Sequence, residues 1–158
     1  MKRNYLKLII IIIVTVILTI SFSNLYKNYE KNKLNDGYIS KYVSIINYNE
    51  LTSALTEINS DTLLYISFVN NKGVYNLEKK IKKILKTNDL EDNFFFVDAT
   101  NYIDNESKLN NEDLVLPAIL YYKDGAFMDH IDSKNGMIDI SKFELLLERN
   151  ELGRYNKW

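Results

Sequence analysis

Fifteen residues near the N-terminus, Leu8 to Phe22 (LIIIIIVTVILTISF), constrain this chain more than any other feature. Twelve of them are Leu, Ile, Val or Phe, and only Thr15, Thr19 and Ser21 interrupt the run. Each apolar residue contributes roughly −0.3 to −0.6 kcal/mol to insertion near the bilayer centre, so the segment sums to roughly −4 to −7 kcal/mol. Continued to Tyr26, a helix would be about 28 Å long at about 1.5 Å per residue, against a hydrocarbon core of about 30 Å. Tyr5 and Tyr26 fall where interfacial aromatics belong. The rival reading is a cleaved signal peptide, since Ser21-Phe22-Ser23 loosely imitates a small-x-small site. The apolar run is long for a signal, however, and no Ala-x-Ala follows. The expectation is therefore a single-pass anchor in the cell membrane, contacting lipid through Leu8–Phe22. Lys2, Arg3 and Lys7 precede it and Lys27, Lys31 and Lys33 follow. The short cationic tail favours an N-terminus inside and a domain on the extracytoplasmic side.

Residues 1–26 are thus expected to be a cytoplasmic tail and transmembrane anchor. Residues 27–40 (KNYEKNKLNDGYIS) are polar without apolar periodicity and read as a stalk. Residues 41–150 have the length of one domain, and 151–158 are read as a C-terminal tail. From Leu34 onward, 14 Lys and Arg face 20 Asp and Glu, a net charge of −6. That sign argues against a nucleic-acid partner. The one basic cluster, Lys79, Lys80, Lys82, Lys83 and Lys86, has the spacing of the solvated face of an amphipathic helix.

The domain alternates strand and helix signals. Tyr42–Ile46 is a short β-like run. Asn47 or Asn49 then caps a helix whose apolar positions are Leu51, Ala54, Leu55 and Ile58. Thr62–Val69 (TLLYISFV) is almost continuously apolar, as in a strand buried on both faces. After the Asn70–Gly73 loop, Val74, Leu77, Ile81, Ile84 and Leu85 mark an amphipathic helix ending near Thr87. Phe94–Val97 is a second buried strand. Asp98–Asp113 is acidic and Asn-rich, with room for a short helix around Glu106–Leu109. Ala118–Tyr122 is a third strand, and Lys123-Asp124-Gly125 turns it back into Phe127–Ile131. Ile138, Ile140, Phe143, Leu146 and Leu147 form the stripe of a last helix, capped by Asp139 or Ser141. The order β-α-β-α-β-(α)-β-β-α predicts an α/β fold. It is a three-layer α/β/α domain with a mixed sheet: parallel where helices connect strands, antiparallel at the last hairpin.

That order, with Pro117 immediately before the hairpin strand, resembles the thioredoxin fold. LLYISFVNNKGVYNLEKKIKKIL is similar to its strand, active-site loop and long helix. NFFFVDATN is similar to the next strand, and LVLPAILYYKDGAF to the cis-proline segment, following strand and turn. The likeness covers roughly Tyr48–Asn150 and is closest to the small thioredoxin-like bacteriocin transport accessory proteins. It places the CxxC position at Asn71-Lys72-Gly73-Val74, and the chain contains no cysteine. Thiol–disulfide exchange needs an attacking thiolate, so oxidoreductase chemistry is excluded. A disulfide, a Cys-ligated zinc and a lipidated N-terminal Cys are excluded with it. Ser67 stands about where some thioredoxins bury an acid. The resemblance also implies a cis Leu116-Pro117 bond. That proline either simply shapes the start of the strand or borders a peptide groove between Asn71, Lys72, Gly73 and Val74 on one side and Val115, Leu116 and Pro117 on the other.

No other chemistry is evident. His130, beside Asp129 and Asp132, makes neither a triad nor a metal site. Asp98, Asp104, Glu106, Glu112 and Asp113 lack EF-hand spacing, and no phosphate loop or GxSxG is present. No catalytic residue, metal or cofactor is expected. The sequence therefore predicts a non-catalytic, membrane-anchored thioredoxin-like module. It would bind an unidentified protein or peptide partner at the extracytoplasmic membrane face; a role in peptide export or envelope assembly is what the resemblance to the bacteriocin transport accessory proteins implies. The alternative is a structural single-pass subunit of a larger membrane complex.

Overall fold

The computed structural model describes residues 2–57, 60–102, 107–109 and 112–155. Ile58, Asp104, Glu106 and Trp158, each singled out from the sequence, lie outside the described residues.

The N-terminal segment is one helix, α1 (Lys2–Asn35), long and apolar enough to cross a membrane. Its apolar residues from Leu8 to Ile20 are 48–61% exposed, so no part of the described chain covers them. The three hydroxyls that interrupt the run are satisfied within the helix. Thr15, Thr19 and Ser21 donate to the carbonyls of Ile11, Thr15 and Ile17 at 2.8, 2.8 and 2.9 Å. A bilayer therefore meets no unpaired side-chain donor there.

The helix runs on through most of the segment expected to be a stalk. No Gly or Pro interrupts residues 27–36. Gly37 then stops it with φ +65°, its N–H returning to the Leu34 carbonyl at 3.2 Å. Tertiary contacts hold this part in place: Lys72 Nζ lies 3.0 Å from Glu30 Oε1, and Asn70 N–H donates to Leu34 O at 3.0 Å. The segment is thus a docked helix rather than a loose tether.

The domain is a five-stranded sheet in the order β1-β3-β2-β6-β7. Its strands are β1 (Ser44–Ile46), β2 (Thr62–Ser67), β3 (Phe94–Asp98), β6 (Ala118–Lys123) and β7 (Ala126–Ile131). A separate ribbon pairs β4 (Ser107–Leu109) with β5 (Glu112–Leu114). The helices are α2 (Leu51–Glu57), α3 (Lys72–Asn88) and α4 (Ile140–Arg149). Every residue of β2 is buried, and its side chains alternate between two cores. Leu63 and Tyr65 face α3 and α4 together with Phe94, Phe96, Ile119 and Phe143. Leu64 and Ile66 face the other side with Leu51, Val97, Leu120 and Tyr122. This is the expected three-layer arrangement.

The caps at Asn47 and Asp139 follow the sequence, and Asn71, read there as part of a loop, adds a third. Asn47, Asn71 and Asp139 each accept a backbone N–H at the start of a helical turn. Asp124 and Gly125, with φ 49° and 76°, make the β6–β7 hairpin turn.

Two expectations are corrected. Ser107–Leu109, in the segment read as having room for a short helix, instead pairs with Glu112–Leu114 in the β4–β5 ribbon. A four-residue helix gives too few backbone bonds to offset its nucleation, whereas a ribbon pairs its backbone at once. Among the described residues, no α-helix lies between β3 and β6. The chain leaves β3 beside Ser67 and re-enters the sheet beside Ile66, at the same end, so β6 lies antiparallel to β2.

The C-terminal segment also packs more than a tail would. Leu152 is buried, and a 3-10 turn (Gly153–Tyr155) sits against the end of α3. A Cβ on Gly153 would lie 2.6 Å from the Asn88 carbonyl oxygen, at φ +58°. Gly153→Ala should therefore cost about 2–4 kcal/mol, from left-handed strain and a backbone clash together. Thermal unfolding of the purified variant checks this; a melting temperature equal to wild type would show that the turn carries no stability.

Candidate functional site

The residues singled out around the CxxC position and Pro117 come together at one end of the sheet. Ile66 pairs with Ala118, so Ser67 and Pro117 end neighbouring strands, and α3 begins five residues after β2 ends. The Leu116-Pro117 bond is cis, as the resemblance implied. The two stretches differ in what they offer a ligand. Val74 and Pro117 are buried. Asn71 is committed to capping α3, accepting from Gly73 and Val74 N–H at 2.8 and 3.1 Å. Lys72 is held by Glu30, whose carboxylate raises its pKa above the usual lysine value.

The accessible chemistry is therefore backbone and apolar surface. Val115 is 44% exposed, but its amide groups are used: its N–H donates to Asp132 Oδ2 at 3.3 Å and its C=O accepts from Ser133 N at 2.9 Å. The Ser133 hydroxyl donates to Pro117 O at 2.8 Å. Among the described residues, neither the N–H nor the C=O of Leu116 has a hydrogen-bond partner. An extended peptide beside Leu116 would supply both.

Sequence reasoning missed the segment that joins the two stretches. Asp132 and Ser133 pin the Val115–Pro117 backbone, while the Met137 methyl would lie 3.2 Å from a Cβ on Gly73. Met137 is 46% exposed and offers an adaptable apolar side chain beside Gly73. Only the Asp132-Ser133 pair carried a signal, as a turn-forming dipeptide after a strand.

Beneath the start of α3 lies a buried polar group that the sequence also hid. Ser67 is fully buried, and α3 carries a buried acid. Glu78, 1% exposed, accepts from Tyr38 and Ile39 N–H at 2.7 and 3.1 Å through one carboxylate oxygen. Its other oxygen, the Ser67 hydroxyl and the Tyr65 hydroxyl find no hydrogen-bond partner among the described residues. Burial raises the Glu78 pKa above the usual carboxylate value, opposed by the two N–H donors. Burial, and then the Glu78 charge, push the Tyr65 hydroxyl well above the ordinary tyrosine value.

The remaining candidates do not converge. His130 stacks loosely on Phe127 at 5.9 Å. Asp98 caps the following turn through Thr100 N–H at 2.9 Å. No group of three or more potential metal ligands occurs among the described residues. A concavity of about 720 Å³ lies on the lysine face of α3.

No protein-family model matches the sequence, and neither does any curated protein. Among solved structures, thioredoxin f2 of Chlamydomonas reinhardtii is similar, with a TM-score of 0.54 at 10% identity over 73% of this chain and 99% of that one. Mitochondrial thioredoxin 3 of Saccharomyces cerevisiae gives 0.52 at 13% identity over 71% and 99%. The thioredoxin of Fasciola hepatica gives 0.51 at 16% identity over 68% and 98%. The domain that follows α1 therefore has the thioredoxin fold, carried on a helix capable of spanning a membrane, with no cysteine anywhere in the chain.

Proposed function

We propose that the protein is a non-catalytic, membrane-anchored module that binds an extended segment of a partner polypeptide, at the extracytoplasmic face, in peptide export or envelope assembly. The observation that carries this reading is Leu116, whose N–H and C=O have no hydrogen-bond partner among the described residues. An added strand would bond to those groups and rest on Val115 and Met137. Position supports it too. Asn70, next to the groove residue Asn71, donates to Leu34 at the end of α1. A peptide held there would lie near the bilayer surface. The export role rests on the resemblance to the bacteriocin transport accessory proteins.

A photocrosslinking residue placed at Val115 or Met137 of the full-length protein in intact cells tests this. One dominant polypeptide adduct is expected from both positions and none from Lys123, at the far end of β6. Adducts equally strong from Lys123, or none from the groove, would reject it. Replacing Leu8–Phe22 by a poly-Leu span separates it from the structural-subunit alternative. Groove adducts should survive the exchange if the domain recognises the partner, and vanish if the helix does.

A further inference from the structure

We propose that the lysine–tyrosine face of α3 docks on the anionic headgroups of the bilayer that α1 spans; the inference rests on the reading of α1 as a membrane anchor. The core-facing side of α3 is apolar, with Leu77, Ile81, Ile84 and Leu85 buried. Its outer side carries Lys79, Lys80, Lys82, Lys83 and Lys86. In an ordinary solvated helix face, such cations alternate with acids three or four residues away. Here none of the five forms a salt bridge among the described residues. The domain's net charge is nevertheless negative, so the cations are gathered on this face rather than spread.

Aromatic rings give the face a fixed shape. The Tyr38 ring lies 5.3 Å from both Tyr42 and Tyr75. Lys82 Nζ sits 3.1 Å from the Tyr42 ring centroid and Lys79 Nζ 4.9 Å from that of Tyr75. Lys82 beside its hydroxyl also holds Tyr42 below the usual tyrosine range. Between these groups opens the 720 Å³ concavity, lined by Tyr38, Asn76 and the lysines and by no carboxylate. Tyrosine and lysine together are the side chains that favour a headgroup layer.

The tether puts this face within reach of one particular anionic surface. Lys33 of α1 lies 5.4 Å from the Tyr75 ring, so the face begins beside α1. Lys33 is seven residues past Tyr26, a rise of about 10 Å along the helix. Headgroups occupy about 5–8 Å beyond the hydrocarbon, and charge acts about 8 Å further at physiological salt. Lysines near such a surface are attracted to it.

The test uses the full-length protein in neutral phosphatidylcholine vesicles and in vesicles with about 30% phosphatidylglycerol. Alkaline carbonate extraction comes first. Release from both would overturn the anchor reading, and the docking with it, on grounds separate from the face. With the protein integrated, amine acylation is read lysine by lysine. Labelling of Lys79, Lys82, Lys83 and Lys86 should fall at least threefold in the anionic vesicles and recover in about 0.5 M salt, while Lys123 and Lys142 stay unchanged. The absence of cysteine permits a second readout, energy transfer from a dye on Thr87→Cys to a lipid dye. Transfer should rise in anionic vesicles for the otherwise native chain and not when Lys79, Lys82, Lys83 and Lys86 are all changed to Gln. Equal labelling and equal transfer in both vesicle types would overturn the proposal. Protection by soluble polyphosphate in neutral vesicles, without protection by phosphatidylglycerol, would also overturn it and assign the face to a soluble polyanion.

Discussion

Ile12→Arg combined with Ile17→Arg should release the protein from the membrane. Both residues lie near the middle of the apolar run and are 54% and 56% exposed, so neither change touches the core of the domain. An Arg near the helix centre costs about 2.5–3.5 kcal/mol, and each exchange also forfeits the contribution of an Ile. Together the pair moves the balance by about 6–8 kcal/mol, against a favourable total of roughly 4–7 kcal/mol for the native segment. Arg is as good a helix former as the residue it replaces, so a loss of attachment would reflect transfer free energy rather than a broken helix. After alkaline carbonate extraction, nearly all of the wild type and of an Ile12→Leu, Ile17→Leu control should stay in the membrane pellet, and most of the double-Arg variant should leave it. Persistence in the pellet would mean that the domain, not α1, carries the attachment.

The sequence was informative where one local signal decided the structure. The unbroken TLLYIS of β2 can only be a strand covered on both faces, and the sheet is built around it. Asn47 and Asp139 announced their caps, and Asp124-Gly125 its hairpin, because those residue types satisfy specific backbone needs. The groove stretches came from the likeness to thioredoxins, not from any pattern in their own residues.

What stayed hidden depends on partners distant in sequence. Residues 27–35 show no apolar stripe because what holds them is polar and aromatic: Glu30 to Lys72, and Lys33 over Tyr75. The direction of β6 depends on what lies between it and β3, and the ribbon there is built from residues that read equally well as a polar helix. That the Leu116 N–H and C=O have no partner among the described residues is visible only once Asp132 and Ser133 are seen to occupy its neighbour Val115. Glu78 is the sharpest case. Within Leu77-Glu78-Lys79-Lys80 it looks like one more charge on a solvated helix, yet Tyr38 and Ile39 close over it.

That burial predicts a large effect of Glu78→Ala and a different one of Glu78→Gln. Alanine leaves the N–H groups of Tyr38 and Ile39 without their acceptor. Ile39 is fully buried, so water cannot simply take the place of the carboxylate. An unsatisfied buried donor costs about 1–3 kcal/mol, and two of them about 2–5 kcal/mol. For a domain of this size the melting temperature should fall on the order of 10 °C. Glutamine keeps an oxygen for both donors and removes the charge. The pH dependence then separates the two roles of the side chain. Burial raises the folded-state pKa of Glu78 above its ordinary value of 4.5, so the folded protein holds this proton more tightly than the unfolded chain. The stabilisation from that proton is complete below the unfolded value and is lost as pH rises through the folded one. Wild type should therefore lose stability across that window, while Glu78→Gln shows no such loss and melts at or above the wild-type temperature at neutral pH. Thermal melts of the full-length protein in detergent, at steps from pH 4 to pH 8, read both effects. If Glu78→Gln kept the wild-type slope, the titrating group would lie elsewhere. If Glu78→Ala melted like wild type, the carboxylate would not be what holds the Tyr38–Ile39 turn, and with it the end of α1, against α3.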